Sequence, residues 1–306
     1  MSEPRNHHYI SQFYLKGFSK NEGTKAKLFV YDKEQNKYFQ SNPKNIATKR
    51  DFNRISTKGK EYFIEEHQSQ MEAKIAIAFK NIIESNQYPK EKDLSYILTF
   101  MSLISLRNPK TRAIFDKLYC DISDKFMSMT MASEERYIDQ CLQVGIKKED
   151  IIPYEEQKKF IEDKSRYELS INQEVHIKAE HENIDYLSEL LHKRYWYLVI
   201  SNETMGEFIT SDYPVSLVSL VEIPKIYGVG FGIQKTEVCF PISKYLVLIG
   251  VFEEYDNVDK TIIATKDLVE TINERTYAFA NKQVYSTKKL SFYDIKEQKD
   301  QNATTK

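Results

Sequence analysis

Polar side chains with catalytic chemistry open the chain, in the run His7-His8-Tyr9-Ile10-Ser11-Gln12. Two adjacent imidazoles can bind a metal or act as general acid and base near neutral pH. The apolar spacing from Tyr9 to Phe18 predicts a short helix, which places Gln12 one turn beyond His8. The alternative is that a histidine only caps this helix. Adjacent residues point in different directions on a helix, so we expect at most one histidine to do chemistry.

A second polar group lies in Phe208-Ile-Thr-Ser-Asp-Tyr-Pro-Val215, where Asp212 follows a strand-like segment and precedes Pro214. Strand ends are places where a rigid scaffold presents reactive carboxylates. Asp212 is therefore a candidate catalytic residue. The alternative is an Asx turn, in which its carboxylate binds the local backbone.

Carboxylates and guanidiniums between these two segments could complete a site. Glu61, Glu65 and Glu72 share one predicted helical face, and Glu72 with His7 could bind a divalent metal. The alternative is a solvated acidic stripe. Arg107, in the break between two helices, suits binding of phosphate but equally suits capping of the preceding helix.

Several function classes lack their signatures. The sequence has no GxxxxGK[ST] phosphate loop, no GxSxG elbow and no HExxH pair. The glycines of Gly228-Val-Gly-Phe-Gly232 lack dinucleotide-binding spacing. Three widely separated cysteines argue against a disulfide framework or a zinc ribbon. A net charge of −1 excludes a global basic field, although a local patch stays open.

The candidate residues must be positioned by helices and strands, and the sequence patterns of these elements predict an α+β fold. The first two-thirds is mainly helical with an N-terminal hairpin, and the last third forms an antiparallel or mixed sheet. We expect one unit over 1–290 with two lobes, helical over about 60–193 and strand-rich over about 194–290. The N-terminal segment joins these lobes, and 291–306 forms a polar tail. Without an apolar leader or a long apolar run, the sequence predicts a soluble, cytoplasmic protein with no membrane partner.

Five segments together resemble a widespread, mostly bacterial family known only as a domain of unknown function. They are HHYISQFYLKGF, KNIATKRDF, LRNPKTR, FITSDYPV and CFPISKYLVLI. The resemblance rests most on a tandem-histidine, Gln-Phe/Tyr-Leu-x-x-Phe opening and a late Ser-Asp-x-Pro motif. Family membership implies that His8 and Asp212 matter, and it brings no established reaction. We expect the early and late motifs to converge in space.

Two functions fit these residues. The first is a hydrolase, here expected to be a nuclease-like effector in a bacterial toxin or defence system, including defence against phage. In it His8 is a base or ligand, Gln12 orients water or substrate, Asp212 and Glu72 bind a divalent metal or orient His8, and Arg107 holds phosphate. Its partner would be nucleic acid or a phosphorylated ligand. The second is a non-enzymatic sensor or binding module, in which the same residues form a buried polar network and a protein is the partner.

Overall fold

The computed structural model describes residues 6–21, 25–54, 61–222 and 228–289. For residues 61–69 only the backbone is described. The predicted α+β fold is confirmed, with helices mostly in the middle of the chain and strands toward its ends. The helices are α1 (Gln12–Lys16), α2 (Glu61–Ser85), α3 (Glu91–Leu106), α4 (Pro109–Thr130), α5 (Glu134–Gln143), α6 (Tyr154–Glu162), α7 (Gln173–His192) and α8 (Lys266–Phe279). None of these described helices is long and apolar enough to cross a membrane.

Strands from both ends of the chain share a sheet. The strands are β1 (Asn6–His8), β2 (Leu28–Asp32), β3 (Lys37–Ser41), β4 (Thr48–Arg50), β5 (Tyr195–Ile200), β6 (Thr210–Ser211), β7 (Ser216–Ser219), β8 (Thr236–Ser243), β9 (Leu246–Val251), β10 (Thr261–Ile263) and β11 (Gln283–Ser286). The predicted hairpin is β2–β3, and the antiparallel sheet β3-β2-β11-β6 joins it to the last strand. A mixed sheet has the order β10-β5-β9-β8-β7, with β10 parallel to β5. The strands β1 and β4 form a separate antiparallel ribbon.

The described residues divide into two compact units. One unit is Pro109–His176, whose small core contains Met131, Tyr137 and Cys141. The other combines the described residues up to Asn108 with those from Ile177 onward, and it contains all the sheets. The predicted lobes with a boundary near residue 193 stay a prediction, as does the polar tail, which lies outside the described residues.

An aromatic cluster fixes α1 to the centre of the larger unit. Tyr14 of α1 stacks on Phe240 of β8 at a ring-centroid distance of 5.3 Å. Phe100 of α3 lies 5.6 Å from Tyr14 and 5.2 Å from Phe79 of α2. Aromatic pairs in this range stabilise beyond their buried area. The cluster therefore sets the position of the polar residues that flank Tyr14 in sequence.

The N-terminal elements differ from the prediction. The helix α1 covers only Gln12–Lys16, and the tandem histidines lie on β1 instead of at a helix entrance. The segment from Asn42 to Asn53 has little periodicity in its sequence, yet it contains β4, which pairs with β1. This pairing is nonlocal, and three-residue strands leave no periodic pattern in a sequence. The histidines are consequently held by a strand register.

Candidate functional site

The β1–β4 ribbon separates the two histidines. His7 lies opposite Lys49 and His8 opposite Thr48, and successive residues of a strand face opposite sides. On its side of the ribbon, Nδ1 of His7 accepts a hydrogen bond from the backbone N–H of Asn53 at 2.8 Å. His7 thus uses one ring nitrogen to fasten the chain after β4. The two imidazoles do not face one point.

His8 is half-buried and pairs with Gln12. The amide nitrogen Nε2 of Gln12 lies 3.0 Å from Nε2 of the ring. Because an amide N–H can only donate, Nε2 of His8 is the acceptor and Nδ1 carries the proton in the neutral ring. Gln12 itself is exposed, so the ring nitrogen that can accept a proton lies at the solvent side.

The surroundings of His8 keep it neutral. Burial lowers the pKa of His8, while the Ile46 carbonyl and the Glu72 carboxylate act in the opposite direction with smaller effect. Within the described part of the chain, buried Nδ1 has no hydrogen-bond partner. The Ile46 carbonyl therefore acts on the ring through its dipole and not through a well-formed hydrogen bond. Near neutral pH the ring is a base ready to accept a proton.

Glu72 joins His8 to the interior through two neighbours. Oγ of Ser11 donates to Oε1 of Glu72 at 2.9 Å, and Nη2 of Arg107 lies 3.8 Å from the same oxygen. The Arg107 side chain is 7% exposed and that of Glu72 is 40% exposed. The carboxylate thus lies between a buried cation and solvent. The structure brings together His8, Ser11, Gln12, Glu72 and Arg107, which we call the His8 cluster.

The donors of a metal site are not assembled among the described residues. No group of three or more His, Cys, Asp or Glu side chains there is arranged to hold a metal ion. His7 faces away from His8, and the side chains of Glu61 and Glu65 lie outside the described residues. The metal roles of His7 and Glu72 stay predictions.

Asp212 fastens a turn and is 3% exposed. Its Oδ1 accepts from the backbone N–H of Asn281 and its Oδ2 from that of Lys282, each at 2.8 Å. The Asx-turn alternative is wrong in its partner, because the carboxylate binds a segment 69 and 70 residues away. The local turn uses the hydroxyl of Ser211, which accepts from the N–H of Tyr213.

Burial raises the pKa of Asp212, and this effect exceeds the opposing effects of three backbone N–H groups and of Lys33. Lys33 donates to the carbonyls of Tyr277 and Ala280, both at 2.9 Å. Asp212 and Lys33 together hold the chain between α8 and β11. The carboxylate is thereby committed to backbone donors.

The early and late segments contact each other through Tyr14 and Thr210. The hydroxyl of Tyr14 lies 2.6 Å from Oγ1 of Thr210. Nδ2 of Asn108, next to Arg107, donates to the backbone carbonyl of Asp212 at 2.9 Å. Since Arg107 belongs to the His8 cluster, the pair Arg107-Asn108 connects that cluster to the segment of Asp212.

A second connection passes through two tyrosines. The hydroxyl of Tyr9 interacts with that of Tyr285, which donates to Oε1 of Gln283 at 3.1 Å. Burial raises the pKa of both tyrosines, and the nearby Asp212 adds to this effect. Both phenols are therefore neutral hydrogen-bonding groups.

A model of the family described as "Protein of unknown function (DUF4238)" matches residues 6–290. The chain belongs to this family. The match confirms the predicted resemblance, and it contains the whole His8 cluster as well as Asp212. No curated protein and no solved structure matches the chain.

Sequence reasoning on this DUF4238 chain found His8, Gln12, Glu72 and Arg107 but missed Ser11, Tyr14 and Asn108. A usable signal existed for Tyr14, because a tyrosine on the apolar face of a helix needs a buried partner for its hydroxyl. Asn108 stands next to Arg107 in a helix break, where side chains often bind backbone groups. The partner of Ser11 had no sequence signal, since Glu72 lies 61 residues away.

Proposed function

We propose that this DUF4238 protein is a hydrolase that cleaves phosphoester bonds with His8 as general base. The observation that carries the proposal is the contact of 3.0 Å between Nε2 of His8 and the exposed amide of Gln12. General-base catalysis requires a neutral imidazole whose accepting nitrogen a solvent water can reach, and the exposed Gln12 amide at Nε2 marks the side from which water would approach.

The proposed step needs only side chains of this protein. A water molecule takes the place of the Gln12 amide at Nε2, and His8 removes one of its protons. The resulting hydroxide attacks phosphorus and the ester P–O bond breaks. The leaving oxygen takes up a proton from a solvent water molecule, and the His8 imidazolium returns its proton to the hydroxide that this leaves. Gln12, whose side chain is exposed, turns away from His8 in this step and holds the attacking water. The Glu72 carboxylate stabilises the imidazolium that forms.

In this proposal Arg107 and Asp212 position other groups and do not take part in the proton transfer themselves. Arg107 keeps the Glu72 carboxylate at the His8 cluster, at 3.8 Å from Oε1. Little of the Arg107 side chain reaches the surface, where a phosphate would bind. A direct contact between Arg107 and phosphate therefore stays a prediction. Asp212 positions the turn before β11 and does not touch substrate. A role in a bacterial toxin or defence system stays a prediction of the same kind.

A non-enzymatic sensor or binding module is the second candidate. Its supporting observation is that both carboxylate oxygens of Asp212 bind backbone N–H groups and that Asn108 binds its carbonyl. A polar network with its acceptors occupied stabilises one arrangement of the chain. In that case the His8 cluster presents a polar surface to a partner protein.

Hydrolysis of chromogenic phosphodiesters and phosphomonoesters by purified protein separates the two candidates. We expect the rate to fall at least about 100-fold in His8→Ala, with the melting temperature nearly unchanged. His181→Ala, an exposed histidine on α7, is the matched control and should retain the full rate. Parallel reactions with EDTA, Mg²⁺ or Mn²⁺ measure any metal requirement. Equal rates in wild type and His8→Ala would rule out the general base.

A further inference from the structure

A local basic patch lies beside the His8 cluster. Between 44 and 54 the chain carries four exposed basic side chains and one acidic residue, while the whole protein has a net charge of −1. The basic residues are Lys44, Lys49, Arg50 and Arg54, and the acidic one is Asp51. Positive charge is therefore concentrated on the β4 side of the ribbon.

The strand register places one of these cations on the face of His8. Arg50 lies opposite Asn6, and Asn6 shares a face with His8 because the two are two residues apart on β1. Diagonal neighbours of this kind have Cα atoms roughly 7–8 Å apart, within reach of long side chains. The Arg50 side chain is 65% exposed. It forms an ion pair with half-buried Asp51 at 3.6 Å, and a pair with one exposed partner adds little stability.

The adjacent cation on β4 belongs to the opposite face. Lys49 lies opposite His7, and its ammonium group sits 5.8 Å from the ring centroid of Phe52. Arg50 and Lys49 are thus neighbours in sequence with different surroundings. They form a natural pair for a test of which face binds.

A second cation follows Gln12 on α1. Lys16 is exposed and stands four residues after Gln12, so the two share a side of the helix. His8 contacts Gln12 directly, at 3.0 Å. The exposed side chain of Arg50, the half-buried ring of His8 and the exposed side chains of Gln12 and Lys16 therefore follow one another, with a cation at each end and the proposed base between them.

We propose that Arg50 and Lys16 bind backbone phosphates of a nucleic-acid strand on either side of the phosphate that reacts at His8. This inference rests on the proposed hydrolase and names its substrate class. Two exposed cations flanking a reactive centre match a polymer that carries a phosphate at every step. An isolated phosphate ester would use the centre alone.

Binding of fluorescein-labelled oligonucleotides, followed by anisotropy against salt concentration, tests this assignment. The oligonucleotides are RNA and DNA, each single- and double-stranded, so that the experiment shows which kind of nucleic acid supplies the phosphates. For a single strand the slope of log K against log salt is about −0.7 per phosphate neutralised. We expect Arg50→Gln and Lys16→Gln each to make the slope less negative by about 0.7, and the double variant by about 1.4.

Two control variants separate local from general charge effects. Lys178→Gln removes a 77% exposed cation from α7 and should leave the slope unchanged. Lys49→Gln removes a cation next to Arg50 from the opposite face and should change the slope less than Arg50→Gln does. Equal effects of Lys49→Gln and Arg50→Gln would overturn the assignment to the His8 face.

The outcomes distinguish this inference from the proposed function. His8-dependent hydrolysis of a small phosphodiester without oligonucleotide binding at low salt would overturn the nucleic-acid assignment and leave the hydrolase standing. Salt-dependent binding through Arg50 and Lys16 without cleavage would support the binding surface and remove the hydrolase. Absence of both activities would overturn both.

Discussion

Oγ1 of Thr210 lies 2.6 Å from the hydroxyl of Tyr14, although 196 residues separate the two along the chain. The same hydroxyl donates to the carbonyl of Pro241 at 2.8 Å. Since a hydroxyl has one hydrogen, Thr210 is then the donor to Tyr14. A wholly buried phenol therefore ties α1 to β6 and β8 and fixes the helix that carries Gln12.

Tyr14→Phe should destabilise the protein by about 1–3 kcal/mol, because it leaves the Thr210 hydroxyl and the Pro241 carbonyl without their buried partner. Chemical denaturation of the wild type and the variant measures this free energy of unfolding. Tyr186→Phe, at a 60% exposed tyrosine of α7, is the control and should change it by less than about 0.5 kcal/mol. Equal small effects at both positions would show that the buried hydroxyl is not a structural tie.

Asp212→Asn should also destabilise by about 1–3 kcal/mol, because the amide retains one acceptor oxygen for the N–H groups of Asn281 and Lys282. Asp259→Asn, at an exposed aspartate, should have little effect. Both changes can be followed by denaturation at neutral pH. If Asp212→Asn had the same free energy of unfolding as the wild type and the same rate of hydrolysis, the turn before β11 would not depend on the carboxylate.

The destabilisation caused by Asp212→Asn should depend on pH, and the pKa of Asp212 sets the direction of that dependence. Burial raises the pKa of Asp212, so the folded state binds the proton more readily than the unfolded chain does. The stability that comes from proton binding at Asp212 is fully present below its ordinary pKa of 3.8 and is lost as the pH rises through the raised pKa, whereas the hydrogen bonds from Asn281 and Lys282 to the carboxylate remain at neutral pH. The stability difference between wild type and Asp212→Asn should therefore shrink as the pH rises from 3.8 toward neutrality. A difference that grows with pH would contradict the burial effect.

Gln12→Ala should raise the pKa of His8. The Gln12 amide donates to Nε2 of the neutral ring, and a hydrogen bond to the neutral form disfavours protonation. Titration of the imidazole by NMR in wild type and variant measures the shift, with the wild-type pKa expected below 6.5. Gln143→Ala, at an exposed glutamine at the end of α5, should leave the titration unchanged. A lower pKa in Gln12→Ala would show that Gln12 does not donate to the ring.

The sequence predicted elements whose signals are local. The apolar periodicity of α2 predicts a helix over about Glu61 to Ser85, and the helix has those bounds. The hairpin β2–β3 follows from two short strands around a turn, and β11 from its β-branched and aromatic residues. Each of these patterns is complete within one stretch of chain.

The sequence singled out four residues that the structure brings together, namely His8, Gln12, Glu72 and Arg107, but it did not predict their pairings. His8 and Gln12 are four residues apart, so their contact is local, although it joins the end of β1 to the start of α1 and is not the helical turn that was predicted. The contacts of Ser11 with Glu72 and of Asp212 with Lys282 depend on how distant elements pack. The register that separates His7 from His8 depends on β4, which has no pattern of its own. Such pairs bring together residues far apart in the chain, and no local pattern in the sequence specifies them.

Gly250→Ala should destabilise the β5–β9 pair. A Cβ at Gly250 would lie 2.8 Å from two ring carbons of Trp196, which is opposite it in the sheet. The ring is buried and its Nε1 donates to the carbonyl of Leu191, so it cannot move away without losing that hydrogen bond. Overpacking of this kind costs about 1–3 kcal/mol.

Fluorescence of Trp196, the single tryptophan of the chain, reports both the local environment and the unfolding transition of Gly250→Ala. Gly228→Ala is the matched control, because a Cβ there would meet no atom within 4 Å. We expect an earlier transition and a shifted emission maximum for Gly250→Ala alone. An unshifted emission maximum with wild-type stability would mean that the sheet relaxes around the added methyl group, and Trp196 would then not be what limits the residue at 250.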